Sequence, residues 1–214
     1  MVADASVALA TTPAGLSPVA STLTLLAAAV EAGEADTVSV LLKARADPCA
    51  ATPKGVSPLH LAAYCDSAST LGLLVEARAD VDAPDCHGQS PIFFAGTPEI
   101  CSQLEAAGAD VNLRNRRGQS ALHLAAGAGL DDVVAWLAAR VAPGILNAQD
   151  RHGCTALHCA RSGGLRSTAR LLQERGASDR IKPVAARRRG GGAARAAAGG
   201  ACRQRQQRVD GRQR

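Results

Sequence analysis

The residues of this chain with most chemistry to offer are its histidines and cysteines, and several of them recur in one setting. His60, His123 and His158 stand in the stretches Ser57-Pro58-Leu59-His60-Leu61-Ala62-Ala63, Ser120-Ala121-Leu122-His123-Leu124-Ala125-Ala126 and Thr155-Ala156-Leu157-His158-Cys159-Ala160. The dipole at the start of a helix disfavours a charged imidazole, so these rings suit a neutral, hydrogen-bonded structural role. His152, Cys154, His158 and Cys159 supply the ligand types of zinc, but they form neither a Cys-x-x-Cys knuckle nor a His-x-x-x-His pair. Cys86 beside His87 has the makings of a nucleophile, yet nothing supplies the third group that would orient the pair. The seven cysteines, at 49, 65, 86, 101, 154, 159 and 202, are odd in number and lack the paired spacings of a disulfide framework. They read as reduced thiols that serve as small buried hydrophobes. Phosphate-loop, dinucleotide-binding, zinc-protease and serine-hydrolase motifs are all missing from the sequence. No catalytic, cofactor or metal site is expected, and the chain reads as a non-enzyme.

The elements that position these residues repeat. Two weaker copies, Thr24-Leu25-Leu26-Ala27-Ala28-Ala29 and Ser90-Pro91-Ile92-Phe93-Phe94-Ala95, fall in register with the three above. The leading Ser or Thr lies at 24, 57, 90, 120 and 155, so the spacings are 33, 33, 30 and 35. Gly55, Gly88, Gly118 and Gly153 each precede the next Ser or Thr by two residues, a second marker in the same register. Ser57, Ser90, Ser120 and Thr155 suit N-caps, and Pro58 and Pro91 suit the first helical position. A second apolar run follows in each unit, as in Thr70 to Val75, Cys101 to Leu104 and Val133 to Leu137. Gly108 and Gly176 suit a left-handed helix end. Arg45 and Arg78 take the equivalent place and predict strain or another cap there. An extended stretch with a turn, Val111 to Gly118, then leads to the next cap.

This unit resembles the ankyrin repeat. Its T-P-L-H-x-A start is matched by Ser57 to Ala62, its G-A-D-V-N middle by Gly108 to Asn112, and its D-x-x-G hairpin by Asp85 to Gly88 and Asp150 to Gly153. The resemblance implies an all-α repeat solenoid of paired short helices with hairpin loops, over about residues 22–182. Its units would be 24–56, 57–89, 90–119, 120–154 and 155–182. It also implies that the imidazoles bond to the cap hydroxyl and to neighbouring backbone. Unit three lacks three residues after Ala95, which shortens its first helix. Unit four has two extra around Val141-Ala142-Pro143-Gly144, which predicts a bulge. Arg161 replaces the Ala63 and Ala126 of other units, so unit five reads as a C-terminal cap. Asn112 and Asn147 take the hairpin Asn position, with Leu104 eight residues before Asn112. That pattern is similar to the substrates of the asparaginyl hydroxylase that modifies ankyrin repeats, although backbone bonding in the turn is the simpler role.

Composition agrees with close stacking. Hydrophobic residues make up 47 % of the chain but aromatic ones only 2 %, so short side chains must fill the space between helices. Charge is divided: residues 184–214 hold nine Arg and one Asp, a local +8, which leaves −3 on the rest of a chain of net charge +5. Residues 1–21 are expected to be a flexible N-terminal segment and 183–214 a disordered Arg/Ala/Gly-rich tail. No apolar run approaches the roughly 20 residues of a membrane span, and the first basic residue is Lys43, too late for a signal peptide. The reading is an intracellular monomer, cytoplasmic, with a nuclear location as the alternative.

The implied function is a scaffold or adaptor that binds another protein through its concave face and hairpin tips. By position the binding residues would be Lys54, Tyr64, Asp85, His87, Asn115, Arg116, Arg117, Arg151 and His152, with an acidic partner patch opposite Arg116 and Arg117. The alternative is an adaptor whose basic tail, with Arg187-Arg188-Arg189, adds nucleic-acid binding or nuclear targeting.

Overall fold

The computed structural model describes residues 18–178. The tail at 183–214 and Cys202 lie outside the described residues, as do residues 1–17 of the expected flexible segment. Its last four residues are helical, because helix α1 spans Pro18–Ala32 and begins six residues before Thr24.

Every unit places two helices side by side. Helices α1 and α2 (Ala35–Lys43) form unit one, and α3 (Pro58–Tyr64) and α4 (Ala68–Glu76) form unit two. Unit three has a 3-10 turn at Pro91–Phe94 and then α5 (Pro98–Ala106). Unit four has α6 (Ala121–Ala128), α7 (Asp131–Arg140) and the one-turn helix α8 (Pro143–Leu146), and unit five has α9 (Ala156–Ser162) and α10 (Arg166–Glu174). First helices pack on first helices, α1 on α3, α3 on the 3-10 turn and α6 on α9, while second helices form a parallel row behind them. Among the described residues the only β pairing is an isolated antiparallel bridge between Arg114 and Ser120.

Short side chains fill the junctions. Ala62, Ala63, Ala125, Ala126, Ala156 and Ala160 are buried, with Leu59, Leu122 and Leu157 behind them. Stability of such an array is close to a sum of unit and neighbour-interface terms, so these alanines let backbones approach where larger groups would hold units apart. Arg161, at the place of Ala63 and Ala126, is exposed.

The irregular units have local causes. In unit three, Thr97 caps α5 by accepting from the Ile100 N–H at 3.5 Å, and Pro98 takes the first helical position. A residue before proline is driven from helical geometry, so the first helix cannot run past Ala95 and closes as a 3-10 turn. Asp66 holds this junction by accepting from the Gly96 N–H at 2.9 Å. In unit four the extra residues form α8 rather than an open bulge. Pro143 starts it, Val141 and Leu146 are buried, and the Ala142 N–H donates to Asn112 Oδ1 at 2.9 Å.

The second helices of units one, two, three and five end alike. The N–H groups of Ala46, Ala79, Ala109 and Ala177 donate to the carbonyls of Leu41, Leu74, Leu104 and Leu172, at 2.9 to 3.0 Å. This closure needs a left-handed residue before each alanine. Gly108 and Gly176 adopt it at φ 97° and 88°, and Arg45 and Arg78 adopt it at φ 65° and 64°. A side chain in that region costs roughly 1–2 kcal/mol, partly offset because glycine loses more entropy on folding. Arg78→Gly should therefore stabilise the array by about 0.5–1 kcal/mol, raising the midpoint of a thermal melt by about 2 °C. An unchanged or lower midpoint would show that the Arg78 backbone is not strained.

Candidate protein-binding surface

The histidines hold the scaffold of this surface. His60 Nδ1 accepts from the Ser57 backbone N–H at 3.1 Å and lies 2.8 Å from Ser57 Oγ. Since a backbone N–H can only donate, Nδ1 carries no proton, and Nε2–H donates to the Gln89 carbonyl of the following hairpin at 3.0 Å. His123 repeats this with Ser120 at 3.1 and 2.9 Å and with the carbonyls of Ala148 and Cys154 at 3.1 and 3.3 Å. Burial lowers the pKa of both rings, outweighing the opposing effect of the carbonyls. His158 differs. Its backbone N–H donates to Thr155 Oγ1 at 3.2 Å, but the carbonyls that answer the other two rings lie 25 to 31 residues ahead of them. That separation from His158 falls beyond Ser178, outside the described residues.

The hairpin turns share one design. Asp85 Oδ1 accepts from the N–H groups of His87 and Gln89 at 2.7 and 2.8 Å, and Asn115 Oδ1 from those of Arg117 and Gln119 at 2.9 Å. Asp150 does the same with His152 and Cys154 at 2.8 and 2.9 Å. Gly55, Gly88, Gly118 and Gly153 close these turns at φ 74° to 79°. Successive tips touch through their backbones: the Cys86, Arg116 and Arg151 N–H groups donate to the carbonyls of Lys54, His87 and Arg117, at 2.8 to 2.9 Å. A Cβ on Gly55 would lie 2.9 Å from the Asp85 Cα, which leaves no room for a side chain between those tips.

This geometry sorts the expected binding residues. Lys54, His87, Arg116, Arg117, Arg151 and His152 are exposed on the tips, and Tyr64 is 43 % exposed at the end of α3. Asp85 and Asn115 must be corrected: both are only 6 % exposed, and their side-chain oxygens are used inside the turn. One further set was missed, and another was read only in part. Leu61, Phe94, Leu124 and Cys159 recur at one half-buried position of the first helices, and Tyr64 follows Leu61 by about one turn. Asp82, Asn112 and Asn147 each accept from the backbone of the next unit, from Asp110 at 3.1 Å, Ala142 at 2.9 Å and Ser178 at 2.7 Å. Their common register was the signal available in the sequence.

The cysteines also need correcting. Cys49 and Cys86 are exposed, Cys65, Cys154 and Cys159 are half-buried, and of the six described only Cys101 is buried. Burial pushes the Cys101 thiol up to about 12 and the Cys159 thiol to about 11, which disfavours the thiolate a nucleophile needs. Among the described residues no three His, Cys, Asp or Glu side chains could hold a metal ion. No helix among them is long and apolar enough to cross a membrane.

The family model "Ankyrin repeats (3 copies)" matches residues 12–85 and 92–182, most of the chain. The chain belongs to the ankyrin-repeat family. Ankyrin repeats are generally protein–protein interaction modules and typically non-catalytic. No curated protein matches the chain.

Within this ankyrin array the caps differ in a testable way. Ser90 is only 2 % exposed and its hydroxyl has no partner, because Phe93 stands where units two and four have histidine. Ser120→Ala should cost about 1 kcal/mol, while Ser90→Ala should change stability by less than about 0.5 kcal/mol, both read from denaturant melts. Equal costs would mean that the hydroxyl acts without the ring. The histidines also set a pH dependence. Their folded pKa lies below the unfolded 6.5, so the unfolded chain binds more protons in mild acid. Their contribution is complete above pH 6.5 and is lost as pH falls through and below it. The melting midpoint should fall between pH 7 and about 5.5, and less steeply in His123→Gln. A slope unaltered by that substitution would assign the effect to other groups.

Proposed function

We propose that the chain is a scaffold or adaptor that holds a partner protein against its first helices and hairpin tips, with no chemistry of its own. The supporting observation is the repeated half-buried apolar position on the first helices, Leu61, Phe94 and Leu124, beside the exposed Tyr64 and next to tips that present Lys54, His87, Arg116, Arg117, Arg151 and His152. An apolar strip with a polar rim is the composition of a protein interface, and an exposed Tyr is a frequent anchor in one. The alternative, in which the tail adds nucleic-acid binding or nuclear targeting, rests on the nine Arg and one Asp of residues 184–214. The test is affinity capture from native extract with the full chain, with Leu61→Ala/Tyr64→Ala, and with a chain ending at Pro183. The double variant should recover at least about fivefold less of a partner that the wild type holds. Equal recovery would exclude the apolar strip, and loss only on removing the tail would favour the alternative.

A further inference from the structure

Four arginines elsewhere in the array are occupied, while Arg45, Arg78 and Arg166 lie exposed and apart at the ends of second helices. Arg140 pairs with Glu105 at 2.9 Å and lies 4.2 Å over the Trp136 ring, and Arg170 pairs with Glu174 at 3.0 Å. Arg114 donates to the carbonyls of Gly118, at 2.8 Å, and Gln149, and Arg175 to that of Ala135 at 2.9 Å. On the hairpin tips exposed cations are gathered together. The side chains of Lys54, Arg116, Arg117 and Arg151 are exposed and have no ion-pair partner among the described residues. The three arginines are also contiguous: Arg116 and Arg117 are neighbours in one turn, and the Arg151 N–H donates to the Arg117 carbonyl at 2.9 Å. The acids of these turns form no ion pair with them among the described residues. Asp85 and Asp150 are buried, and each spends an oxygen on two backbone N–H groups.

Like charges held side by side on a rigid ladder repel one another in the free protein, and an anionic ligand relieves that repulsion on binding. Each guanidinium can also take a carboxylate through two parallel hydrogen bonds. We propose that the tips of units one to four form a docking ridge for an extended, Asp- or Glu-rich protein segment laid across the hairpins, centred on Arg116, Arg117 and Arg151. This rests on the reading of the chain as a protein-binding array and adds the chemistry of the partner. Nucleic acid fits less well, because the tips offer no Phe, Tyr or Trp for base stacking, only His87 and His152.

The test uses the full chain and a labelled peptide of alternating Glu and Ser, with a Gln and Ser peptide and an oligonucleotide of equal charge as comparisons. Arg116→Glu/Arg117→Glu/Arg151→Glu should weaken Glu-peptide binding at least about tenfold, measured by fluorescence polarisation. Lys43→Glu/Arg166→Glu/Arg170→Glu makes the same change in net charge on exposed helix positions and should weaken it less than about twofold. The tail is common to all three proteins, so it cancels in the comparison. Circular dichroism melts check folding. If the charge reversal unfolds the array, Arg116→Gln/Arg117→Gln should still weaken binding by about threefold or more. Equal losses in the two triple variants, no loss in either, or tighter binding of the oligonucleotide through the same arginines would overturn the proposal. Should a captured partner stay bound to the ridge variant but leave Leu61→Ala/Tyr64→Ala, the ridge proposal fails while the protein-binding reading stands.

Discussion

A neutral imidazole that bonds in two directions is the interaction on which this array depends. The rings of His60 and His123 each accept from the cap residue of their own helix and donate to the hairpin that follows. One side chain thereby sets where a helix starts and where the next unit docks. Both partners are backbone groups of fixed polarity, so a single tautomer satisfies the ring, and protonating Nδ1 would set a donor against a donor. The alanine contacts between helices follow from that docking, since nondirectional packing cannot itself choose a register.

A second set of ties works at the far edge of each unit. Asp82, Asn112 and Asn147 bond the backbone of the next unit, and the hairpin tips bond each other through main-chain groups. Directional bonds at both edges hold the units parallel, so the tip side chains are left facing solvent. The ion pair of Glu105 and Arg140 adds little, because both side chains are 40 % exposed and screened pairs contribute at most about 1 kcal/mol.

Much of this was legible in the sequence. The caps at Ser57, Ser120 and Thr155, the turn glycines and the left-handed ends at Gly108 and Gly176 were readable because each position demands a particular side chain or none. The 3-10 turn of unit three was foreshadowed by the short spacing and by Pro98. What stayed hidden was direction. Asp85 and Asn115 sit in turns as Arg116 does, and only the closed geometry shows that their oxygens face inward to backbone N–H groups. Insertions are similarly ambiguous: Pro143–Leu146 became a helical turn because buried apolar groups and the Asn112 bond secure it. Cysteine burial was illegible for a related reason, since the same thiol suits the core at 101 and the solvent at 86.

Unit three carries a consequence of its own. With Phe93 in place of histidine, the Ser90 hydroxyl is unpartnered and no imidazole links this unit's cap to the hairpin that leads into unit four. In a chain of nearest-neighbour couplings, cooperativity extends only as far as each junction transmits it. Unit one, with Ala27 at the same place, lacks the ring too, so imidazole links join only units two and three and units four and five, and the remaining junctions rest on apolar packing and edge bonds. Partial opening would divide the array at those junctions rather than fray it evenly from its ends.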